Sequence, residues 1–402
     1  MKMNRRQFLG HTAAISAVGL NPCLFAGVTD KSEPWKKELA RHRLSSLDVK
    51  TVQLKWPRHV GKNSRTGVHG WGPRETVCRI RTDQGASGWG QLLADPRKAE
   101  EILARFKGAP ISEIFDPAIG ILRADARPLD LALHDLAGVI LNIPVYEMLG
   151  SQGPDATLCY SGMIYFDDLE PQENPAGIEQ TLKNCRQDID YGYRQLKLKI
   201  GRGNRWMEKE AGLRRDIEVT RVIAAAFPDI DILVDGNDGF TCEEFIRYLE
   251  GIGDVDLFWI EEPFQETRED YEKLRAWLKK NKKNKTLLAD GESNPDQAFI
   301  TELLKDGLLD VNLYDVSWYG FTQWRALMGE LKKMGVTASP HAWGTALKTN
   351  YIAHLAAGLG NIVTIEGVTC TCEQVDMSRY ILREGKLVPP PAPGFGMTLL
   401  DV

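Results

Sequence analysis

The sequence predicts an α+β unit followed by an α/β barrel, on three observations. From about residue 155 short apolar runs alternate with longer amphipathic segments, the pattern of parallel βα units. Over residues 46–150, by contrast, strand-like runs come first and helical runs follow, as in an α+β fold. The later apolar runs also end one after another in a charged or polar side chain: Lys199, Asp235, Glu261, Glu292, Asp315, His341 and Glu366. In a parallel barrel such strand ends meet at one rim, where barrels of this kind place their active sites.

The elements follow in order. "NRRQFLG" puts Arg5 and Arg6 ahead of Phe8, Leu9 and a weakly apolar stretch, so that 1–26 resembles a twin-arginine export signal and predicts a periplasmic mature protein. The stretch is too short and polar for a stable membrane span. No A-x-A precedes "TDKSEPWKK", and "LNPC", ending at Cys23, is a poor lipoprotein box. Residues 27–45 are expected to be a linker. Residues 46–150 hold the strand-like "VKTVQLKWP", "TVCRIRTD" and "GASGWGQLL", then the helical "EEILARF" and "PLDLALHDLAGVILNIPVYEMLG".

Residues 151–375 carry eight candidate strands: "TLCYSG", "QLKLKIG", "DILVDGN", "LFWIEEP", "TLLADGE", "DVNLYDV", "GVTASPH" and "IVTIEGV". Eight are enough to close a barrel. Helix candidates such as "GLRRDIEVTRVIAAAF" and "FTQWRALMGELKKMG" lie between them. In the last segment, 376–402, "PPPAPGFGMTLL" is too rich in Pro and Gly for a helix and is expected to return across the α+β unit.

Composition narrows the partners. With 402 residues, 43% hydrophobic and 26% charged, the chain can bury a large core. A net charge of −5 gives no reason to expect nucleic acid or an anionic membrane, and "KKNKKNK" (279–285) reads as a solvated helix end. Seven cysteines, odd in number and without C-x-x-C spacing, make neither a zinc site nor a regular disulfide framework. Cys370 and Cys372 are the nearest pair and receive no role.

"QLKLKIG" alternates at period two, with Lys197 and Lys199 on one face and Leu196, Leu198 and Ile200 on the other. An edge strand could point both ammonium groups at water. The polar rim favours the other reading, a lysine face turned into a site. Asp235, Glu261 and Glu292, from consecutive strands, would concentrate negative charge that must protonate, pair or bind a cation. Oxygen ligands without neighbouring nitrogens or thiolates favour Mg²⁺, with Mn²⁺ as a substitute. Asp290 and Glu262 stand beside them as supporting groups.

"KLK" (197–199), "VDGN" (234–237), "WIEEP" (259–263), "DGE" (290–292), "YDV" and "SPHAWGT" (339–345) together resemble the mandelate racemase branch of the enolase superfamily. The helical run 130–150 looks like the segment that joins cap to barrel there, and the resemblance covers nearly the whole chain after residue 46. It implies an N-terminal capping domain on an enolase-like, modified (β/α)7β TIM barrel.

It also implies a mechanism. Asp235, Glu261 and Glu292 would hold the metal that grips a substrate carboxylate, and Lys199 would remove the proton beside it through an enediolate. Lys197 would contact the carboxylate and lower the Lys199 pKa by like charge. His341, oriented by Asp315, would act on the opposite face, and Glu366 would hydrogen-bond a carboxylate oxygen. Asn237 is a candidate substrate or ligand contact, whereas His134 reads as core or helix surface.

Two departures stand out. Where relatives have Gly-Gly after the sixth-strand Asp this chain has "SWYG", so Trp318 and Tyr319 would narrow the pocket. The cap loop "GKNSRTGVHGWGPRE" is long and polar, with Arg65, His69, Trp71 and Arg74 as lid contacts, which suits a polyhydroxylated acid better than an aryl one.

The resemblance therefore implies a lyase dehydrating a sugar acid to a 2-keto-3-deoxy acid. A racemase or epimerase would need the same two faces, and an exported protein binding the acid without turnover is the third reading. Relatives imply a homo-oligomer.

Overall fold

A computed structural model describes residues 32–401; the segment with Arg5 and Arg6, and Cys23, lie outside the described residues. The first part comprises α1 (Ser32–Ala40), β1 (Leu44–Gln53), β2 (Arg74–Thr82), β3 (Ser87–Gln91), α2 (Ala99–Phe106), the short β4 (Phe115–Asp116) and β5 (Gly120–Ile121), α3 (Asp130–Leu141) and α4 (Val145–Met148). β1, β2 and β3 form an antiparallel meander. β3 lies so close to α3 that a Cβ on Gly88 would stand 2.3 Å from the Leu136 nitrogen, which is why "SGWG" can serve here.

The barrel follows as β6 (Thr157–Ile164), α5 (Ile178–Tyr191), β7 (Gln195–Lys199), α6 (Lys209–Ala226), β8 (Asp231–Asp235), α7 (Cys242–Ile252), β9 (Trp259–Glu261), α8 (Arg268–Lys280), β10 (Leu287–Asp290), α9 (Gln297–Lys305), β11 (Val311–Asn312), α10 (Val316–Tyr319), α11 (Phe321–Met334), β12 (Thr337–Ala338), α12 (Ala346–Leu359) and β13 (Ile365–Gly367). β6 to β12 are parallel neighbours in sequence order, and β13 pairs back onto β6. A bridge from Ala338 to Ile362 closes the remaining side. The fold is a capping domain on a (β/α)7β barrel.

The alternation in β7 explains the layers. Leu196, Leu198 and Ile200 join the main core beneath the helices, while Tyr160, Leu233, Trp259, Ala289, Val311 and Leu313 form a separate core inside the barrel. Lys197 is paired with Leu233 and Lys199 with Asp235 across the β7–β8 register. Leu233, Trp259, Ala289 and Val311, from β8 to β11, thus fill the inside of the barrel, while β7 turns Lys197 and Lys199 to that side.

Three expectations change. Residues 32–40, expected within the linker, form α1: Leu39 is buried on the cap, Trp35 packs against the same core, and Lys36 lies 3.0 Å from Asp116. The run 130–150 is broken where Asn142 takes φ 55 and accepts the helix end, because Pro144 excludes helix from the residue before it. Only part of 376–402 returns to the cap. β14 (Val375–Asp376) pairs with β17 (Thr398–Leu399), but the hairpin β15 (Ile381–Arg383) and β16 (Lys386–Val388) adds to the start of β6. Its two-residue turn uses Glu384 (φ 51) and Gly385 (φ 74). The run 389–400 does reach the cap, where the Phe395 N–H donates to Asp135 (2.7 Å) and the Trp89 indole to the Met397 carbonyl (3.2 Å).

Among the described residues no helix is long and apolar enough to cross a membrane, and six cysteines are free thiols. His134 is fully buried in α3, against Asp130 (3.1 Å) and Arg325 (3.1 Å), so it belongs to the core.

Candidate metal centre and active site

Asp235, Glu261 and Glu292 offer oxygens that all lie within 4.8 Å of one another. The first two are neighbours in the β8–β9 register. Glu292 is not at its strand end. β10 stops at Asp290, whose side chain turns outward to accept from the Tyr271 hydroxyl, and Gly291 (φ 111) swings the next residue back over the barrel. Asn237 (φ 42), Asp238 (φ 53) and Glu262 (φ 38) also hold left-handed backbone, so each ligand-bearing strand leaves the rim through positive φ, at a cost for Glu262 that a glycine avoids.

Glu261 Oε2 and Glu292 Oε2 are buried without a hydrogen-bond donor. Three converging carboxylates, two of them with an unsatisfied oxygen, fit a hard divalent cation such as Mg²⁺. Without one, the lysines supply the positive charge. Lys197 Nζ lies 2.6 Å from Glu261, 3.2 Å from Asp235 and 3.2 Å from Glu366, and Lys199 Nζ donates to Asp235. Both lysines are buried, on an interior strand; the edge-strand alternative is excluded.

The electrostatics follow. Burial would raise the Asp235 carboxyl, but Lys199 and Lys197 hold it well below the usual range. Burial and the Asp235 charge push Glu261 well up. Burial and Lys197 both pull the Lys199 ammonium down, the second as expected, yet the net shift is upward because Asp235, Glu292 and Glu261 outweigh them. The expected net lowering is thus reversed by the carboxylates.

On the other side His341 Nδ1 stands 2.9 Å from Asp315 Oδ2, and its Nε2 3.3 Å from Glu292 and 3.8 Å from Glu366. Burial lowers its pKa, but Glu292 and Glu366 carry the net shift upward. Asp315 caps α10, accepting from the Ser317 (2.9 Å) and Trp318 (3.1 Å) amides. Glu366 accepts from the Ala342 N–H at 2.6 Å. Asn237 Nδ2 lies 3.4 Å from Glu262 and 3.3 Å from Glu292, beside the cluster.

The lid residues divide. Residues 60–64 are buried and pinned to the barrel: Gly61 N–H donates to Asp167 (2.7 Å) and Ser64 to the Gly236 carbonyl (2.7 Å). Arg65 pairs with Asp238 (2.8 Å) in the loop after β8. His69 sits edge-on to Tyr165 (4.8 Å) and Trp343 (5.6 Å), with burial and then Lys199 lowering its pKa. Trp71 is turned outward, 66% exposed, and borders a surface groove with His59 and Asp167. Arg74 donates to Gln53 (3.2 Å) and lines an opening of about 420 Å³ with Asp315, Trp318 and Lys348. Trp318 points its indole nitrogen at the Glu292 carbonyl (3.4 Å), whereas Tyr319 packs on Tyr314 (4.9 Å) and Trp324 (5.7 Å) as part of the core instead of narrowing the pocket.

Sequence reasoning missed Lys348, 2.7 Å from the same Asp315 oxygen that faces His341, and Tyr165, whose ring lies under Lys199. Lys348 stands seven residues after His341, a helix-start spacing that could have suggested it.

Residues 180–401 match the family model of the enolase C-terminal domain-like proteins. A galacturonate dehydratase mutant from Geobacillus sp., solved with Mg, superposes with a TM-score of 0.84 at 30% identity, over 90% of this chain and 94% of that one. An arabinonate dehydratase of Saccharolobus solfataricus is 26% identical over 292 residues, 70% of this chain and 71% of its own length. A hydrophobic dipeptide epimerase of Enterococcus faecalis is 24% identical over 253 residues, 58% of this chain and 64% of its own. With a (β/α)7β barrel, three converging carboxylates and lysine and histidine on either side of them, the chain belongs to the enolase superfamily, in its mandelate racemase branch.

Proposed function

We propose that this protein dehydrates a sugar acid to its 2-keto-3-deoxy product. The observation that carries the reading is the placement of Lys199 and the Asp315–His341 pair around the Asp235, Glu261 and Glu292 carboxylates. Mg²⁺ held by those three residues supplies, when bound, a Lewis acid for the charge that develops on the substrate carboxylate. Lys199 would act in its neutral form, the proton it shares with Asp235 having passed to solvent, and take the proton from the carbon beside the carboxylate. His341, its Nδ1–H directed at Asp315, gives its Nε2 proton to the hydroxyl on the next carbon, which leaves as water. The resulting enol becomes the ketone. Lys197 borders the carboxylate's place and would donate to it; Glu366 beside it would hydrogen-bond a carboxylate oxygen only in its protonated form.

The arabinonate and galacturonate dehydratases among the similar proteins support an acid-sugar substrate. Epimerase names also occur among the similar proteins, and the second reading is a racemase or epimerase of a 2-hydroxy or sugar acid, in which His341 gives a proton to the opposite face. A dipeptide epimerase fits less well, since Asp315 stands where the resemblance implies a lysine in that group. Incubating the Mg²⁺-loaded protein in D₂O with hexonic, pentonic and uronic acids and weighing each acid tests both. Loss of one water establishes dehydration and names the substrate; deuterium gained without loss of water favours epimerisation. Binding with neither change would support the non-catalytic reading.

We further propose that the protein is exported folded to the periplasm, on the strength of Arg5, Arg6 and the apolar run after them. Fractionating cells with and without Arg5→Lys/Arg6→Lys tests this, and cytosolic wild-type protein would overturn it. A homo-oligomeric state is proposed by analogy with relatives and is tested by light scattering.

A further inference from the structure

One cluster of large side chains belongs neither to the main core nor to the core inside the barrel. Trp56, Val60, Met163, Tyr165 and Val368 pack together, with Trp343 against them. Its rings come from different parts of the chain: Trp56 from the cap after β1, Tyr165 from the end of β6, Trp343 two residues after His341. Trp56 lies 5.2 Å from Trp343 with their planes 32° apart, and Trp343 lies 4.7 Å from Tyr165 at 30°. The Trp56 indole also donates to the Gly344 carbonyl (3.0 Å), which fixes the cap end of the row. His69 closes it from the lid, edge-on to both Tyr165 and Trp343.

The row ends at the base: Lys199 Nζ lies over the Tyr165 ring, 5.4 Å from its centroid. Tyr165 is fully buried, so water does not compete for that face. An aromatic face attracts an ammonium within about 6 Å, more strongly when both are desolvated. Metal in the cluster would draw Asp235 away from Lys199, and the ring would then be the remaining partner that fixes where the lysine stands.

We propose that Tyr165 is a positioning residue for Lys199, and that the Trp56–Trp343–Tyr165 row makes placement of the base depend on docking of the cap. The proposal rests on the assignment of Lys199 as the base. It adds that a residue just after the first barrel strand and two tryptophans, none of which needs to touch substrate, set the reactivity of one face only.

The test uses acids that react and pairs differing in configuration at the carbon beside the carboxylate, so that the α-hydrogen faces Lys199 in one and His341 in the other. In the Mg²⁺-loaded full chain, Tyr165→Leu should slow deuterium exchange from the Lys199 face roughly tenfold or more, and leave the His341 face and Mg²⁺ affinity unchanged. Tyr165→Phe should restore most of the rate. Trp343→Leu should lose less than Tyr165→Leu, on the same face. Should Tyr165→Leu not fold, phenylalanines carrying one, two and three fluorines at position 165 keep the shape and weaken the ring face; the rate should fall step by step. Equal losses on both faces, equal rates for Leu and Phe, or no response to fluorination would overturn the proposal. If no acid exchanges with the wild-type protein, the proposed function fails instead. Crystal structures of wild type and the position-165 variants with Mg²⁺ then decide this inference alone: an unmoved Lys199 Nζ in the Leu and trifluorinated forms would sink it.

Discussion

Each lysine of the K-x-K strand answers to different partners. Lys197 bridges Glu261, Asp235 and Glu366, whereas Lys199 forms an ion pair with Asp235 and lies over the Tyr165 ring. Removing Lys199 should therefore abolish proton transfer without emptying the metal site: Lys199→Ala is expected to lower kcat by about 10²–10⁴ while the Mg²⁺ affinity, read by calorimetry, holds or rises. Asp235→Asn should do the reverse, weakening Mg²⁺ by at least the roughly 10–100-fold that loss of an outer partner costs, with activity recovering only as Mg²⁺ is raised. Chelation should silence the wild-type protein, and Mg²⁺ or Mn²⁺ should restore it. These residues were legible in the sequence because they are charged side chains at the ends of apolar runs, where burial makes charge conspicuous. Tyr165 was not, because a tyrosine in "GMIYF" differs in no visible way from its apolar neighbours. Tyr319 misled for the converse reason: adjacent aromatic residues look alike on paper, but Trp318 is turned to the Glu292 carbonyl and Tyr319 to Tyr314.

The elements show where pattern reading stops. All eight barrel strands were legible, since each is an apolar run bounded by polar or glycine residues. Glu292 was placed at a strand end, but the turn at Gly291 that brings it into the cluster depends on a backbone angle, which periodicity does not record. A Cβ at this position would need φ 111 and would meet the Tyr314 ring at 3.1 Å. Gly291→Ala is accordingly expected to cost about 1–3 kcal/mol in denaturant melts and to weaken Mg²⁺ through displacement of Glu292. Helix α1 escaped because a short amphipathic helix of nine residues beside a polar stretch resembles a linker, and the β15–β16 hairpin because its partner is the β6 backbone. Cap and barrel are tied by Arg58, which chelates Asp188 with contacts of 2.5 and 2.7 Å in a buried setting. Arg58→Met leaves that carboxylate without its cation and should cost about 3–5 kcal/mol, measured by urea unfolding.

At the scale of the molecule, stability should depend on pH through carboxyls that the cap buries. Burial pushes Asp135 up to about 7 against the two amides that donate to it, and Asp167 up to about 6 despite nearby Arg58. In the unfolded chain both would ionise near pH 4. Between that pH and their folded values the native state holds more protons than the unfolded one, so this part of the stability falls as pH rises from about 4 to 7 and is level above. Asp135→Asn should flatten the slope in melts taken from pH 4 to 8. Unchanged slopes would show that Asp135 is already ionised in the folded protein.

Asp135 also ties together stretches far apart in the chain, accepting from Trp89 and from Phe395. Arg79 in β2 likewise reaches Leu399 and Asp401. The cap is thus assembled from the first and last parts of the described chain, so during synthesis it stays unfinished until residues 394–401 have left the ribosome. A nascent chain would therefore complete its cap only after residues 394–401 have been made, later than the last barrel strand, β13.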